Sequence, residues 1–151
     1  MHSPSSTQDN VQSRPRLWLV TGGCGFIGSH LVDALLAHGD NVNVLDDLST
    51  GVLENLDPSA RFIEADVADP AAVRHAMEGC DGCFHLAAVA SVERCTNDWT
   101  GTHRTNLAGS VATFDAARVC RIPVVYASSA AVYGDACNPP YRESSREGER
   151  D

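Results

Sequence analysis

The residues best suited to chemistry are the glycines of one short segment near the N-terminus, TGGCGFIGSH (residues 21–30). Two glycine spacings coincide there. Gly23, Gly25 and Gly28 fit G-x-G-x-x-G, while Gly22, Gly25 and Gly28 fit G-x-x-G-x-x-G. In such a turn one glycine permits a tight bend, one lets the backbone approach a pyrophosphate, and one lets a helix pack closely on a strand. The backbone N–H groups that begin the helix then bind phosphate.

An acidic residue at a suitable distance strengthens this interpretation. Asp46 ends the second apolar run of the chain, 18 residues after Gly28. A carboxylate about 20 residues beyond the glycines bonds the adenosine ribose hydroxyls and repels a 2′-phosphate. The pattern therefore predicts a site for NAD rather than NADP. The alternative is a chance glycine turn in an α/β protein that binds no nucleotide.

Alternating strands and helices must position these residues. Short apolar runs predict five buried strands, at residues 16–21, 41–47, 61–66, 83–88 and 122–128. Helical spacing predicts helices over residues 26–38, 70–77 and about 99–120. Asp69 is the expected N-cap of the second helix, with Pro70 at its first position. Strands interleaved with helices indicate an α/β fold with a doubly wound parallel sheet, covered on both faces.

Composition limits the other classes of function. The 151 residues, with 43% apolar and 21% charged residues, are enough for one ordinary domain. The net charge of −9 argues against binding to nucleic acid. Since the chain has neither a membrane-spanning apolar run nor a secretory signal, we expect a cytoplasmic protein. We expect a disordered tail at residues 1–15, an incomplete NAD-binding domain at residues 16–135, and a loop and coil tail at residues 136–151.

The six cysteines predict neither a disulfide framework nor a metal site. Disulfides are unexpected without a secretory signal. Cys80 and Cys83 form a single Cys-x-x-Cys pair, whereas a structural zinc site needs four ligands. Because this pair precedes a predicted buried strand rather than opening a helix, we interpret the cysteines as small buried or loop thiols.

Several ordered segments resemble the extended short-chain dehydrogenases/reductases, in the branch of NAD-dependent nucleotide-sugar epimerases and dehydratases. These segments are residues 21–51, 64–69, 83–92, 105–110 and 126–135. The likeness is strongest to UDP-hexose 4-epimerases and covers about residues 16–143, which correspond to the N-terminal half of such enzymes. The resemblance implies a Rossmann-type sheet, NAD as cofactor, a nucleotide sugar as substrate, and a homodimer if the other half is present.

The resemblance also implies a cofactor site built from the glycine turn, the ends of the second to fourth strands and the helix that follows. The implied NAD-binding residues are Gly22, Gly25, Phe26, Ile27, Gly28, Asp46, Asp47, Leu48, Ser49, Thr50, Gly51, Asp66, Val67, Leu86, Ala87, Ala88 and Asn106. Asp46 would hold the adenosine ribose, Asp66 would bond the adenine amino group, and Asn106 would help to order the site. As alternatives, Asp66 is a turn carboxylate and Asn106 a structural polar residue of a helix.

The resemblance assigns Ser129 to the family's catalytic Ser or Thr, which hydrogen-bonds the reacting sugar hydroxyl. The alternative is that Ser128 and Ser129 only form a turn. The family then uses Tyr-x-x-x-Lys on one helical face, where Tyr takes the sugar proton and Lys lowers its pKa. The chain contains no lysine, so this pair is absent. We interpret His85 as a structural strand residue rather than a base.

The family resemblance stops near residue 145, and the final REGERD does not continue it. Doubly wound dinucleotide folds usually have six or more strands, so we expect a sheet truncated after its fifth strand, and marginal stability. The first hypothesis is the NAD-binding half of a UDP-hexose 4-epimerase that acts through a 4-keto intermediate. An inert NAD-binding module and a non-functional remnant are the alternatives. Dehydratases and decarboxylases share this half, and residues 129–134 favour an epimerase.

Overall fold

The computed structural model describes residues 14–133, in which parallel strands alternate with helices. The predictions for residues 1–13 and 134–151 lie outside the described residues. The strands are β1 (Leu17–Thr21), β2 (Asn41–Asp46), β3 (Arg61–Glu64), β4 (Gly82–His85) and β5 (Val124–Tyr126). The α-helices are α1 (Phe26–Ala37), α2 (Pro70–Met77), α3 (Val92–Asn97), α4 (Trp99–His103) and α5 (Gly109–Cys120). Short 3₁₀ turns cover Leu53–Asn55 and Ala130–Tyr133.

The strands form one parallel sheet in the order β3-β2-β1-β4-β5. The chain first builds outward from β1 to β3 and then crosses to the other side of β1 to place β4. Val20 on the central strand is therefore in register with Val44 on one side and Phe84 on the other. This order is that of a Rossmann fold, so the predicted doubly wound sheet is confirmed.

Apolar side chains cover the sheet on both faces. Leu19 and Val20 are adjacent on β1, point to opposite faces, and are both fully buried. Leu19 belongs to the core under α2 and α5, while Val20 packs in the core that includes Val32 of α1. The buried Asn43 donates from Nδ2 to the Ala76 carbonyl at 2.9 Å, which ties β2 to α2. No helix within residues 14–133 is long and apolar enough to cross a bilayer.

Several elements differ from the sequence prediction, and β3 and β4 end early, at Glu64 and His85 rather than at residues 66 and 88. The single helix expected over residues 99–120 is interrupted by a π-helical stretch, Arg104–Ala108, hereafter the π segment, in which Gly109 N–H bonds the Arg104 carbonyl. The helix α3 was missed because its six residues carry no apolar period. The fifth strand is three residues rather than seven, since β4, its neighbour in the described sheet, ends at His85.

The N-terminus of α2 follows the prediction and provides a stability test. Asp69 accepts hydrogen bonds from Ala71 N–H at 2.8 Å and Ala72 N–H at 3.3 Å. We expect Asp69→Ala to lower the free energy of unfolding by about 0.5–2 kcal/mol, and Asp69→Asn, which keeps an accepting oxygen, by much less. Urea denaturation of the two variants measures the difference. Equal losses would contradict the capping role.

Candidate functional site

A cleft lies at the carboxyl ends of the central strands, where the sheet order reverses between β1 and β4. Ligands of open α/β sheets bind in this crevice. The residues that line it come from the glycine turn, the loops after β2 to β4, α3 and the π segment. They are Gly22, Gly25, Leu45, Asp46, Asp47, Ser49, Thr50, Gly51, Ala65, Val67, Leu86, Ala87, Ala88, Val89, Arg94 and Thr105.

The glycine turn brings three backbone segments too close for any side chain. Gly22 has a left-handed backbone (φ +71°), and a Cβ there would lie 2.8 Å from Ala87 N. A Cβ on Gly28 would lie 2.1 Å from the Gly22 carbonyl oxygen, so α1 packs directly on the turn. At Gly23 the constraint comes from a side chain instead, because a Cβ there would lie 2.6 Å from Val44 Cγ1 on β2.

The N-terminus of α1 presents backbone donors next to this turn. Gly25 is the N-cap, no side chain caps the helix, and its first turn contains no acidic residue. The first N–H groups of a helix have no intrahelical partner, and the dipole adds partial positive charge there. The side chains of Phe26 and Ile27 are 81% and 67% exposed and do not line the cleft. Their predicted contribution through backbone N–H groups stays a prediction.

Asp46 ends β2 with a carboxylate that the backbone holds in place. It is 8% exposed, and its Oδ2 accepts from Cys24 N–H while its Oδ1 accepts from Leu48 N–H, both at 2.9 Å. Leu48 itself is in the left-handed region (φ +56°), which costs a non-glycine residue about 1–2 kcal/mol. Gly51 leaves room for this arrangement, since a Cβ on it would lie 3.0 Å from Asp46 Oδ1. Each carboxylate oxygen keeps a second lone pair for a ligand hydroxyl.

Asp66 lies beside the cleft rather than on its wall. Its Oδ2 accepts from Arg104 Nε and its Oδ1 from Ala68 N–H, both at 2.7 Å. Burial raises the pKa of Asp66, but the Ala68 N–H and the Arg104 guanidinium outweigh it and leave the pKa below its usual range. Its neighbour Val67 does line the cleft. The bond from Ala68 N–H is the contact of a carboxylate that closes a turn, which is the alternative given for Asp66 in the sequence analysis. The predicted bond from Asp66 to the adenine amino group stays a prediction.

The side chains of Asn106 and Ser129 both bond backbone groups, Asn106 across 17 residues of chain and Ser129 within its own turn. Asn106, in the π segment, accepts from Val89 N–H at 2.8 Å and donates to the Val89 carbonyl at 3.1 Å, so it holds a residue of the cleft wall. Ser129 Oγ accepts from Ala131 N–H at 3.2 Å, which is a turn contact, and Ser129 is not among the residues lining the cleft. Its predicted catalytic role stays a prediction.

Buried thiols and an imidazole lie near the site without forming a reactive cluster. Burial, and then the Asp46 charge, raises the pKa of Cys24 to about 11. Burial lowers the pKa of His85, which bonds Thr21 and Ser110 within the core, in agreement with its structural interpretation. Among residues 14–133, no group of three or more His, Cys, Asp or Glu side chains is placed to hold a metal ion.

Some predicted residues lie outside the cleft wall, and some wall residues were missed. Besides Asp66, Asn106 and Ser129, the predicted residues not lining the cleft are Phe26, Ile27, Gly28 and Leu48. The missed residues are Leu45, Ala65, Val89, Arg94 and Thr105. Leu45 and Ala65 adjoin predicted site residues in sequence, so proximity could have found them. Arg94 belongs to α3, which has no periodic signal, and is the one basic side chain among the described residues that line the cleft.

Comparison with known proteins assigns this architecture to a family. The sequence profile of the NAD dependent epimerase/dehydratase family matches residues 18–150. The chain belongs to the NAD-dependent epimerase/dehydratase family. This result confirms the resemblance found in the sequence motifs. The match runs to residue 150, so the expectation that the resemblance stops near residue 145 was wrong.

Relatives in this family are considerably longer than the chain. It is similar to a UDP-glucose 4-epimerase of Lacticaseibacillus casei, with 37% identity over 83% of this chain and 39% of that protein. It is also similar to UDP-glucuronic acid decarboxylase 4 of Arabidopsis thaliana, with 36% identity over 83% of this chain and 28% of that protein. The structure of a Thermus thermophilus UDP-glucose 4-epimerase in complex with NAD superposes with a TM-score of 0.78, at 36% identity, over 87% of this chain and 44% of that one.

The cysteine environments predict selective alkylation. Burial is the main cause that raises the pKa of Cys24 and Cys80 to about 11 and of Cys83 to about 12, whereas Cys120 is exposed. Because the thiolate is the nucleophile, we expect iodoacetamide at pH 8 to modify Cys120 well before these three. Peptide mass mapping measures the order, and unfolding in urea should remove it. Modification of native Cys24 as fast as Cys120 would contradict the structure.

Proposed function

We propose that this chain provides the NAD-binding part of a nucleotide-sugar 4-epimerase, with a UDP-hexose as substrate. The observation that carries the proposal is that the glycine turn and the Asp46 carboxylate, which accepts from the Cys24 N–H of that turn, lie side by side on the wall of one cleft. The UDP-glucose 4-epimerase relatives support the choice of reaction and substrate.

The residues present fit the cofactor. Gly22 and Gly25 line the cleft beside the N-terminus of α1, which suits a pyrophosphate because backbone N–H groups and the helix dipole favour anions. Asp46 suits the two hydroxyls of an adenosine ribose, and its charge disfavours a 2′-phosphate. Val67, with Leu86, Ala87 and Ala88, offers an apolar surface for the flat parts of the ligand.

The chain's own contribution to catalysis is to bind and orient. When bound, NAD would supply reversible hydride transfer at the sugar C4 carbon. Ser129 would hydrogen-bond the reacting hydroxyl. None of the tyrosines is followed at i+4 by a lysine, so the sequence does not contain the Tyr-x-x-x-Lys pair that the family resemblance attaches to the proton transfer. We propose accordingly that cofactor binding is the activity to test on this chain.

A second candidate within the family is a nucleotide-sugar decarboxylase. The Arabidopsis decarboxylase and the L. casei epimerase each match 83% of this chain, at 36% and 37% identity. Both candidates use the same cofactor site, so binding experiments on the chain serve both. A cytoplasmic location and a homodimer stay predictions.

The first test is NAD binding by the chain and by two glycine variants. We expect Gly28→Ala to abolish binding, because its Cβ would lie 2.1 Å from the Gly22 oxygen and force α1 off the turn. Gly39→Ala is the matched control. It strains a left-handed position (φ +93°) that has nothing within 4 Å, so we expect about 1–2 kcal/mol lower stability and unchanged binding. Calorimetric titration with NAD measures the dissociation constants. Absence of binding to the folded parent chain would refute the proposed function.

The second test is discrimination between NAD and NADP. We expect the chain to bind NAD at least about tenfold more tightly, because the Asp46 charge faces the position of the 2′-phosphate. Asp46→Asn should weaken NAD binding and narrow the ratio of the two dissociation constants. Asp57→Asn is the control, since Asp57 accepts a backbone N–H from Ser59 at 2.8 Å but does not line the cleft. An unchanged ratio in Asp46→Asn would remove this residue from the ribose site.

A further inference from the structure

A closed circuit of hydrogen bonds passes through His85 and begins and ends on the loop after β4. Thr21 Oγ1 accepts from Leu86 N–H at 3.2 Å and from Ala87 N–H at 3.3 Å, and it lies 2.8 Å from His85 Nδ1. On the other side of the ring, His85 Nε2 lies 3.0 Å from Ser110 Oγ.

The circuit returns to the same loop through the π segment. Ser110 Oγ donates to the Asn106 carbonyl at 2.7 Å. The Asn106 side chain bonds both the N–H and the carbonyl of Val89. Leu86, Ala87 and Val89 all line the cleft, so both ends of the circuit hold its wall.

The partners on each side of the ring indicate the direction of its hydrogen bonds. A threonine hydroxyl has one hydrogen and two lone pairs. The Ala87 amide donates to the fully buried Thr21 hydroxyl oxygen, and the Leu86 amide is shared between that oxygen at 3.2 Å and the Thr21 carbonyl at 3.1 Å, which leaves the hydroxyl hydrogen available to His85 Nδ1. The Ser110 hydrogen is committed to a carbonyl, so the serine oxygen must accept from the ring.

The serine side of the ring therefore requires the hydrogen of the neutral imidazole on Nε2, and this tautomer leaves Nδ1 able to accept from the Thr21 hydroxyl. An imidazolium would carry a second hydrogen on Nδ1 that faces the Thr21 hydroxyl hydrogen, and the circuit would break there. His85 is 5% exposed, and burial lowers its pKa, which favours the neutral ring.

We propose that His85, as the neutral Nε2–H tautomer, is a positioning residue that couples the end of β1 to the π segment and so holds the 86–89 loop of the cleft. The consequence for ligand binding rests on the proposed NAD site. The circuit itself does not, because all of its members belong to the described chain.

The tautomer is tested without any ligand. In the 151-residue chain labelled with ¹⁵N-histidine, two-bond ¹H–¹⁵N correlation spectra at pH 7 distinguish the two ring nitrogens. We expect a protonated Nε2 and an unprotonated Nδ1 for His85, identified by loss of its signals in His85→Gln. A protonated Nδ1, or an imidazolium, would overturn the proposal.

The coupling is tested with two variants of α5. Ser110→Ala removes the circuit's link to the π segment. Thr113→Val is the matched control, because Thr113 Oγ1 bonds the Gly109 carbonyl at 2.9 Å, the same i to i−4 contact, outside the circuit. We expect hydrogen exchange of the Val89 amide to accelerate about threefold to tenfold in Ser110→Ala and to stay unchanged in Thr113→Val, corresponding to one net hydrogen bond. No change in Ser110→Ala, or equal changes in both variants, would overturn the coupling.

Ligand affinity gives a third readout that a purely structural residue would not alter. At a temperature where both variants are folded, Ser110→Ala should bind NAD about threefold to tenfold more weakly than Thr113→Val. If the parent chain binds NAD and both variants bind equally, the positioning role fails. If the parent chain does not bind NAD, the proposed function fails, while the tautomer and exchange results still decide the hydrogen-bond circuit.

Discussion

The structure depends on one close backbone approach, that of α1 to the turn after β1. With a Cβ on Gly28 only 2.1 Å from the Gly22 oxygen, no other residue type fits there. The contact sets the direction in which α1 leaves the sheet. It also places Gly25, the N-cap of α1, on the cleft wall. A second approach, of Gly22 to Ala87, brings the loop after β4 against the same turn. The cleft is therefore a product of backbone packing before any side chain contributes.

Side chains then fix the loops that surround this turn, largely by accepting hydrogen bonds from the backbone. Asp46 holds Cys24 and Leu48, Thr21 holds the start of the loop after β4, and Asn106 holds its end. These acceptors stand at the carboxyl ends of strands or in the π segment. Asp46 itself lines the cleft, whereas Thr21 and Asn106 act from behind its wall by holding the backbone of the loop after β4. A change at Thr21 or Asn106 would therefore reach a ligand through the position of that loop.

The cleft wall, like the chain as a whole, carries more acidic than basic side chains. Asp46 and Asp47 lie on its wall, and Arg94 is the one basic side chain there among the described residues. A dinucleotide carries its negative charge on the pyrophosphate, so the acidic side suits the ribose and the helix N-terminus suits the phosphates. Arg104 is held away by Asp66, at an Nε–Oδ2 distance of 2.7 Å. Under the proposed function, the acidic wall would therefore meet the ribose hydroxyl groups and the helix N-terminus would meet the phosphates.

Sequence patterns alone were enough to predict the parallel sheet, the glycine turn, the cap of α2 and the position of Asp46, because each depends on local spacing or on the period of buried residues. They did not reveal the π segment, α3, or the pairing of Asp66 with Arg104, 38 residues apart. These features became visible in the folded chain. A π turn and a long-range ion pair leave no periodic signal, since their stability comes from contacts between elements distant in the chain. For the same reason the sequence identifies His85 only as a strand residue. Its hydrogen-bond partners, Thr21 and Ser110, lie on β1 and α5, which reach His85 only in the folded chain.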